Sequence, residues 1–516
     1  MVIGQNVRRI FAELPFVGGV VAACVGLWWH GRAFVPMKWP AGFDWERYVR
    51  ETWAYLNPGT MNSTWLEPLY PWVFGNLGPE LGWAWAGALI SSVSMVLLVV
   101  GAGLLGRVLG GPWCGAVAAI AIPLTPQLAH ASRWVNMYPM LSGLTAIGLA
   151  ATAAFARWSR WYWACLGGVG IGLAWAVDSR TITLLPGMVL LAGLGSWGVQ
   201  PVWRRLLLFG LFLAGLMVGP YTQNTLRVVP RESTTEVAEI LRGIELSKIR
   251  QGPDGALKAA CEGEPSTVIS PYGLTRPCAA ALQADNEPRI DAGLPVGLAW
   301  SLWLLPFAFL PSCTGRRRSL IAFLALVPPL AMTWAMSRWI IVTPRYMMQI
   351  AAPAAVIAPL AMIRIWTTVV RSKGWRQLAP LGALGVGVWL FYGGPGHTNA
   401  GPLESSSTYK MMSPIVTFIE EEMGPNDTFL DCSESHIEVS ILPKMLHAPP
   451  SNYEGHDWDR CASWISKPDG SGTAYMVLGN RTRIDGLRGP YLPPPWLLAL
   501  RTEGQGQSIS LWKMER

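Results

Sequence analysis

Residues 81–105 read LGWAWAGALISSVSMVLLVVGAGLL, a run of sequence without a single charged side chain. A helix of this length is long enough to cross the ~30 Å hydrocarbon core of a lipid bilayer. The rest of the chain has the same character, since 51% of its 516 residues are hydrophobic, 14% are charged and the mean hydropathy is +0.31. This composition excludes an ordinary soluble protein and predicts an α-helical polytopic membrane protein.

Comparable apolar runs predict about eleven transmembrane helices. They are placed near residues 14–35, 81–105, 112–131, 139–156, 162–177, 181–199, 206–222, 294–313, 320–337, 349–370 and 378–394. The basic N-terminus followed by residues 14–29 also fits a cleavable signal peptide. We favour a retained first helix, because no small-x-small site is followed by a polar segment.

The charges between these runs alternate along the chain. Arginine and lysine cluster in one set of short connections, which the positive-inside rule places in the cytoplasm. The other set contains the long polar segments 36–80, 223–293 and 395–516, which are therefore predicted to lie outside, with the N-terminus in the cytoplasm. The net charge of +8 follows this topology and does not indicate nucleic-acid binding. No eukaryotic targeting signal is evident, which favours a bacterial inner membrane.

Four cysteines fall in the predicted outer segments. Cys261 with Cys278 and Cys432 with Cys461 predict two disulfides on an oxidising side of the membrane. Free buried thiols remain the alternative.

The composition divides the chain into three parts. Residues 1–394 form the predicted transmembrane domain, 395–407 a Gly-, Pro- and Ser-containing linker, and 408–516 a small extracytoplasmic α/β domain. In the last part, SPIVTFIEEEM predicts a helix, while TFLDC, HIEVSIL, TAYMVLG and SISLWKM predict strands. Its acidic and histidine residues lack metal-site spacing, so we interpret them as ordinary surface or loop residues. They are His436, His447, His456, Asp457 and Asp459.

The first outer segment sets carboxylates among aromatic residues beside the membrane. Residues 43–71 read FDWERYVRETWAYLNPGTMNSTWLEPLYP. A helix beginning near Asp44 would rest Trp45 on the membrane surface and leave Glu46 and Glu51 on a solvated face. An interfacial helix in an aromatic belt is one reading. A site for an amphipathic, partly sugar-like substrate is the other.

Two further outer connections carry charge close to the membrane. Asp178 and Arg180 lie between two apolar runs, where charges are costly unless they are paired or used. A local turn pair is the alternative to a functional role. Arg345 and Tyr346 precede a predicted helix, where the guanidinium and free backbone N–H groups favour an anion such as phosphate. A simple interfacial anchor is the alternative for Arg345.

Taken in order, four short motifs resemble the GT-C integral-membrane glycosyltransferases. Within that superfamily, the chain looks most like the protein mannosyltransferase and aminoarabinose transferase branch. The similarity covers residues 1–394, and an outer α/β tail suits the superfamily. The motifs are a D-x-x-x-Y opening (Asp44, Tyr48), P-L-Y-P (Pro68–Pro71), Tyr138-Pro139, and R-Y followed by a helical proline (Arg345, Tyr346, Pro353).

The resemblance implies transfer of a sugar from a polyprenyl-phosphate-linked donor to an acceptor on the outer side of the bilayer. Because an acceptor hydroxyl is a poor nucleophile at neutral pH, it needs a general base, and Asp44 matches the family's first-loop acid. The departing lipid phosphate needs a positive charge close to it. We predict that Arg345 and Arg180 supply this charge and that Tyr346 also contributes to binding the phosphate. The predicted sugar and acceptor contacts are Trp45, Tyr48, Tyr70 and Asp178.

One departure from the family pattern concerns the second outer loop. Relatives often have an acid there, whereas Ser132–Met137 contains none. Glu67 is the residue that would compensate, as a second catalytic acid. The catalytic pairing therefore stays open, no cofactor is certain, and a divalent metal is left open. The acceptor is equally open among protein, lipid and glycan.

Other functions fit parts of the sequence. A surface-polysaccharide polymerase or ligase would use the same kind of lipid-linked sugar. A transporter or lipid flippase would usually show ionisable residues at mid-span or broken helices in two repeats. Here nearly all charges lie at the ends of the apolar runs, and no internal repeat is visible, which favours the enzyme. A non-catalytic assembly factor is supported by the missing second-loop acid alone.

Overall fold

A computed structural model gives the structure of the chain. It describes the membrane-domain residues 2–36, 45–56, 66–197, 199–228, 267–269, 275–277, 302–309, 316–339, 348–370 and 385. Toward the C-terminus it describes residues 414–415, 417–419, 421–424, 426–432, 462, 464–466, 472–479, 492–504 and 507–515.

The membrane domain is built from helices. In chain order the α-helices are α1 (Val2–Gly31), α2 (Trp45–Leu56), α3 (Leu69–Leu81), α4 (Trp83–Gly110), α5 (Pro112–Leu124), α6 (Pro126–Ala131), α7 (Tyr138–Trp158), α8 (Trp161–Val177), α9 (Leu185–Ser196), α10 (Val202–Leu216), α11 (Val218–Leu226), α12 (Arg316–Trp339) and α13 (Ala351–Val369). Short 3-10 helices cover Ser179–Leu184, Leu302–Phe309 and Met348–Ile350. Two short strands, β1 (Thr267–Ile269) and β2 (Thr275–Pro277), pair antiparallel.

Five stretches of the described helices are long and apolar enough to cross a membrane. They are Phe11–Gly31, Trp83–Gly110, Tyr138–Trp158, Val202–Leu226 and Met348–Val369, with α5, α8 and α9 as shorter apolar helices. The polytopic helical architecture is as predicted, whereas the number of eleven spans stays a prediction. The predicted run 112–131 is split between α5 and α6 because Pro126 cannot continue the preceding helix. The predicted run 378–394 lies outside the described residues, apart from residue 385.

Small residues allow the helices to approach closely. A Cβ added to Gly172 of α8 would lie 2.7 Å from the Leu216 carbonyl oxygen of α10, and one on Gly219 of α11 would lie 2.5 Å from the Gly172 oxygen. The glycine-rich sequence 168–177 is therefore a helix-packing surface. Two buried apolar clusters run through the bundle, one centred on α4, α7 and α13 and one reaching α9, α10 and α12.

The C-terminal part contains a four-stranded sheet in the order β3-β4-β6-β5. The strands are β3 (Thr428–Cys432), β4 (Ala474–Gly479), β5 (Leu497–Gly504) and β6 (Gln507–Met514). β3 and β4 run parallel, and the other two pairs are antiparallel. Three of these strands are the predicted TFLDC, TAYMVLG and SISLWKM, while HIEVSIL lies outside the described residues. β5 was not predicted, because it follows prolines and lacks a regular apolar alternation.

Both faces of this sheet are covered. Ile415 and Ile419, one helical turn apart in the predicted helix, pack with Phe429, Val477 and Leu511 on one face. Leu430, Met476, Trp464, Trp496 and Trp512 belong to the cluster on the other face. The α/β character of this part is confirmed for the described residues.

The predicted disulfides are only partly visible in the described residues. Cys432 is disulfide-bonded. Its predicted partner Cys461, and the pair Cys261 and Cys278, lie outside the described residues, so both pairings stay predictions. Cys24, Cys114 and Cys165, which the sequence places in apolar runs, are free thiols.

Candidate active site

One end of the helical bundle gathers the helix termini that the sequence singles out. α7 begins there, α8 and α11 end there, and the turn Met348–Ile350 leads there into α13. α3 packs on α4, α8 and α11, and α2 packs on α3. We call this end, with α2 and α3, the site face. The sequence predicted α2, whereas α3 was assigned to an outer loop.

A buried ion pair lies at the site face. Glu67, in the turn before α3, accepts a hydrogen bond from Arg227 Nη2 at its Oε2, 2.8 Å away. The Glu67 side chain is 5% exposed and that of Arg227 is 25% exposed. The pair joins two segments 160 residues apart in sequence. Glu67 was a predicted site residue, but Arg227 was missed. The only indication in the sequence was the position of Arg227, five residues after the end of the predicted span 206–222.

Tyr55 and Glu51 of α2 extend this cluster. Burial raises the pKa of the Tyr55 phenol to about 12, and Arg227, Glu67 and Glu51 are close enough to act on it electrostatically. Glu51 is 1% exposed. The prediction that Glu51 lies on a solvated face is therefore wrong, because its side chain is buried close to Tyr55. The Tyr55 hydroxyl finds no hydrogen-bond partner within the described ranges.

The predicted aromatic contacts form a chain of buried rings. Tyr48 of α2 and Tyr70 of α3 meet edge to face with their centroids 5.6 Å apart, and Phe74 and Trp83 continue the series at 5.4 and 5.1 Å. Burial raises the pKa of Tyr70 well above its usual value. Packing between these rings holds α2 against α3 and α4. A sugar contact at Tyr48 or Tyr70 stays a prediction.

Asp178 and Arg180 form the local pair that the sequence left as one of two alternatives. Asp178 caps the 3-10 helix Ser179–Leu184, accepting a hydrogen bond from the Arg180 backbone N–H at 2.9 Å. The Arg180 guanidinium also holds both carboxylate oxygens, with Nε 2.9 and 2.8 Å from Oδ1 and Oδ2. It lies 6.0 Å from the centre of the Tyr138 ring at the start of α7. The pair fixes a cation beside α7, and a role in substrate binding stays a prediction.

Two buried side-chain amides at the site face have polar atoms without a partner among the described residues, and both were missed from the sequence. Asn136 is fully buried; its Oδ1 accepts a hydrogen bond from the Tyr138 N–H at 3.2 Å, but its Nδ2 has no partner among the described residues. Gln349 is 4% exposed, and both ends of its side-chain amide lack a partner in the same part of the chain. The turn that carries Gln349 packs on α7.

Such groups are unusual in a folded protein. Leaving a buried polar group without a hydrogen bond costs about 1–3 kcal/mol. In addition, the N-cap residues of α7 and α13, Met137 and Ile350, provide no side-chain cap. The sequence signal was weak, since an asparagine in a loop and a glutamine before a helix are common. The arrangement can donate hydrogen bonds to an oxygen-rich ligand.

Several predicted site residues lie outside the described residues. These are Asp44, which directly precedes α2 in sequence, and Arg345 and Tyr346, which shortly precede the turn Met348–Ile350. Trp45 begins α2, but its side chain is not described. Their roles stay predictions, as does the interpretation of the histidine and aspartate residues at 436–459. Within the described ranges, no three His, Cys, Asp or Glu side chains come together as metal ligands.

Comparison with solved structures relates this fold to known membrane enzymes. ArnT, the aminoarabinose transferase from Cupriavidus metallidurans, solved bound to undecaprenyl phosphate, matches over 97% of this chain and 98% of its own, with a TM-score of 0.57 and 15% identity. The apo structure of the same protein matches over 96% of this chain and 97% of its own, with a TM-score of 0.54 and 14% identity. No family model matches the chain. No curated protein sequence matches it either.

The match covers nearly the whole chain, including the C-terminal sheet. The resemblance predicted from the sequence is therefore confirmed at the level of the fold, since this chain folds like ArnT. The protein is an integral membrane protein of this architecture.

Proposed function

We propose that the protein is a membrane glycosyltransferase, which moves a sugar from a polyprenyl-phosphate-linked donor to an acceptor on the outer side of the membrane. The fold supports this proposal, because the ArnT structure that it matches over nearly its full length holds undecaprenyl phosphate. The sugar-like substrate inferred from residues 43–71 supports it independently.

The observation that carries the proposal is the combination of groups at the site face. An ion pair, Glu67 with Arg227, is largely buried there. Asn136 Nδ2 and both ends of the Gln349 amide lack partners in the described part of the chain. A lipid phosphate needs a cation, and sugar hydroxyls need paired donors and acceptors. A bilayer-embedded donor would present both groups at the membrane surface, where this end of the bundle lies.

The proposed reaction needs one base and one set of cations. The acceptor hydroxyl attacks the anomeric carbon of the donor sugar, and Asp44 takes the hydroxyl proton. The new oxygen–carbon bond forms as the bond from the anomeric carbon to the phosphate oxygen breaks. Its electron pair leaves with the polyprenyl phosphate. Positioned guanidinium groups stabilise that developing charge. We assign this role to Arg227 and Arg345, with Arg180, which is already paired with Asp178, as a weaker contributor.

The sequence suggested Glu67 as a second catalytic acid, but we assign it a positioning role. Because its Oε2 is held by Arg227, we assign the pair to orienting the donor head group, with Asp44 as the base. Tyr48 and Tyr70 keep α2 against α3 and so fix the start of α2, the helix that follows Asp44. No step is assigned to a metal ion.

The test is a transfer assay on the purified full chain in proteoliposomes. The vesicles carry undecaprenyl-phosphate-linked sugars as a panel, and the acceptors are lipid, glycan and protein fractions of bacterial membranes. We expect one donor to release undecaprenyl phosphate and its sugar to appear in one acceptor fraction. Movement of intact donor across the bilayer without release would instead support a flippase. Neither release nor movement with any donor, from protein that still binds undecaprenyl phosphate, would overturn the enzymatic proposal.

A further inference from the structure

The end of the bundle opposite the site face collects arginine side chains from four helices. They are Arg107 of α4, Arg157 of α7, Arg317 and Arg318 of α12, and Arg364 of α13. Arg157 donates a hydrogen bond to the Arg107 carbonyl oxygen at 3.3 Å, and Arg317 donates to the Ala156 and Leu194 oxygens at 3.0 and 3.2 Å. Arg318 interacts electrostatically with Arg157 and Arg364. We call this end the arginine face.

Among the described side chains its charge is almost uncompensated. The described residues 11–13, 106–113, 157–162, 199–205, 317–319 and 364–370 contain eight basic residues and one acid, Glu13. The basic residues are Arg107, Arg157, Arg160, Arg204, Arg205, Arg317, Arg318 and Arg364. Glu13 is already paired with Arg107, through contacts of 2.6 and 2.8 Å.

Part of this charge has a structural use. Arg157 also donates to the Val108 oxygen, so Arg157 and Arg317 together satisfy carbonyls at the C-terminal ends of α4, α7 and α9. These helix ends carry the negative ends of the helix dipoles, which favour a cation. Helix capping therefore explains Arg157 and Arg317, but not Arg318. Arg318 is exposed, and its guanidinium makes no hydrogen bond to any described residue.

An exposed apolar surface begins one turn beyond these cations. On α12, Leu320 and Phe323 follow Arg317 in steps of three residues and are 46% and 47% exposed. Residues at this spacing are neighbours on a helix surface. Phe323 also packs against Phe309, with ring centroids 5.7 Å apart. Cationic and apolar groups therefore adjoin on the outside of the bundle.

We propose that the start of α12 binds an anionic phospholipid, with its phosphate at Arg317 and Arg318 and an acyl chain along Leu320 and Phe323. Guanidinium groups suit phosphate because they present several donors in a fixed plane, and basic pockets between transmembrane helices bind anionic head groups. A soluble phosphate would use the same cations but not the apolar surface. This site is separate from the proposed donor site and does not depend on the proposed function.

The test compares lipids on the purified, delipidated full chain in detergent. Native mass spectrometry measures binding of phosphatidylglycerol and phosphatidylcholine with matched acyl chains. We expect phosphatidylglycerol to bind more tightly, and Arg318→Gln to weaken it about fivefold, from the value of about 1 kcal/mol for each basic residue near an anionic surface. Arg318→Lys should retain most of the binding.

Arg204→Gln is the matched control, because it removes the same charge from an exposed position on α10 of the same face. We expect it to bind phosphatidylglycerol like the unmodified protein. Three results would overturn the proposal: equal binding of the two lipids, an equal loss in Arg204→Gln, or full displacement of phosphatidylglycerol by millimolar inorganic phosphate. The last result would identify a site for soluble anions.

Discussion

The two ends of the helical bundle treat their polar groups differently. At the arginine face, Arg157 and Arg317 donate to helix-end carbonyls, and Arg107 is paired with a Glu13 side chain that is 39% exposed. At the site face, the carboxylate of Glu67 is 5% exposed, and the buried amides of Asn136 and Gln349 carry polar atoms that lack partners in the described residues. At the first end, ion pairing and helix capping explain Arg107, Arg157 and Arg317. The groups at the second end lower stability unless something binds there, which is typical of a functional site.

The largest effect is expected from Asp44→Asn, which removes the proposed base at the site face. General-base catalysis contributes about 10²–10⁴-fold, so the rate of transfer should fall by at least about 100-fold. The measurement is release of undecaprenyl phosphate, with protein level and membrane insertion checked in parallel.

Glu46→Gln provides the control for that variant. It removes a neighbouring carboxylate that the sequence places on the solvated face of α2, and it should transfer at a near-normal rate. Near-normal turnover of Asp44→Asn itself would remove Asp44 from its proposed role.

A matched pair of arginine substitutions compares the two ends in stability. Arg227→Met removes the guanidinium that is paired with the largely buried Glu67 carboxylate, for which we expect a loss of about 2–4 kcal/mol. Arg107→Met leaves Glu13, which water can reach, and should cost at most about 1 kcal/mol after solvent screening. The free energy of unfolding in mixed micelles measures both. Equal losses would show that the two ion pairs are equivalent and would remove this part of the contrast between the ends.

Substitution of Gln349 or Asn136 should change donor binding much more than it changes the stability of the fold. Gln349→Met removes an amide that has no partner among the described residues, so stability should stay unchanged or rise by up to about 1 kcal/mol. Asn136→Leu removes an unpartnered Nδ2 but also the Oδ1 that accepts from the Tyr138 N–H, so it should cost at most about 1 kcal/mol. If the amides bind the donor, each variant should raise the donor KM about tenfold. Asn76→Leu, at an exposed amide of α3 that bonds to Trp72, is the control and should leave the donor KM unchanged. Clear destabilisation without a change in KM would make these amides structural.

The sequence predicted those parts of the molecule that depend on local patterns. Apolar runs located α4, α7 and α13, and alternation located β3, β4 and β6. It could not find Arg227 or Gln349, because their significance depends on contacts between segments far apart in the chain. It also placed Glu51 in solvent, because burial depends on such contacts as well. The sequence of α3, LYPWVFGNLGPEL, contains two prolines and two glycines and was therefore interpreted as part of a loop, although α3 packs on α2.

The smallest effect is expected from Tyr55→Phe. The raised pKa of Tyr55, about 12, keeps the phenol neutral throughout the physiological range, so transfer should change less than about twofold, with an unaltered pH profile below pH 9. The folded state favours the neutral phenol of Tyr55, whereas the unfolded chain ionises this phenol near its usual pKa of about 10. The contribution of Tyr55 to the free energy of unfolding is therefore present below about pH 10 and is lost as the pH rises toward about 12. Thermal unfolding at pH 9 and pH 11 should show a smaller alkaline loss in Tyr55→Phe, and an equal loss would contradict the assignment.

The most direct test of the difference between the two ends is a cryo-electron microscopy structure of the full chain with undecaprenyl phosphate. The account predicts the phosphate at the site face, within hydrogen-bond distance of Arg227 or of the amides of Asn136 and Gln349, with the lipid tail between helices. A phosphate bound only at the arginine face, with Asn136 and Gln349 still unpartnered, would contradict it.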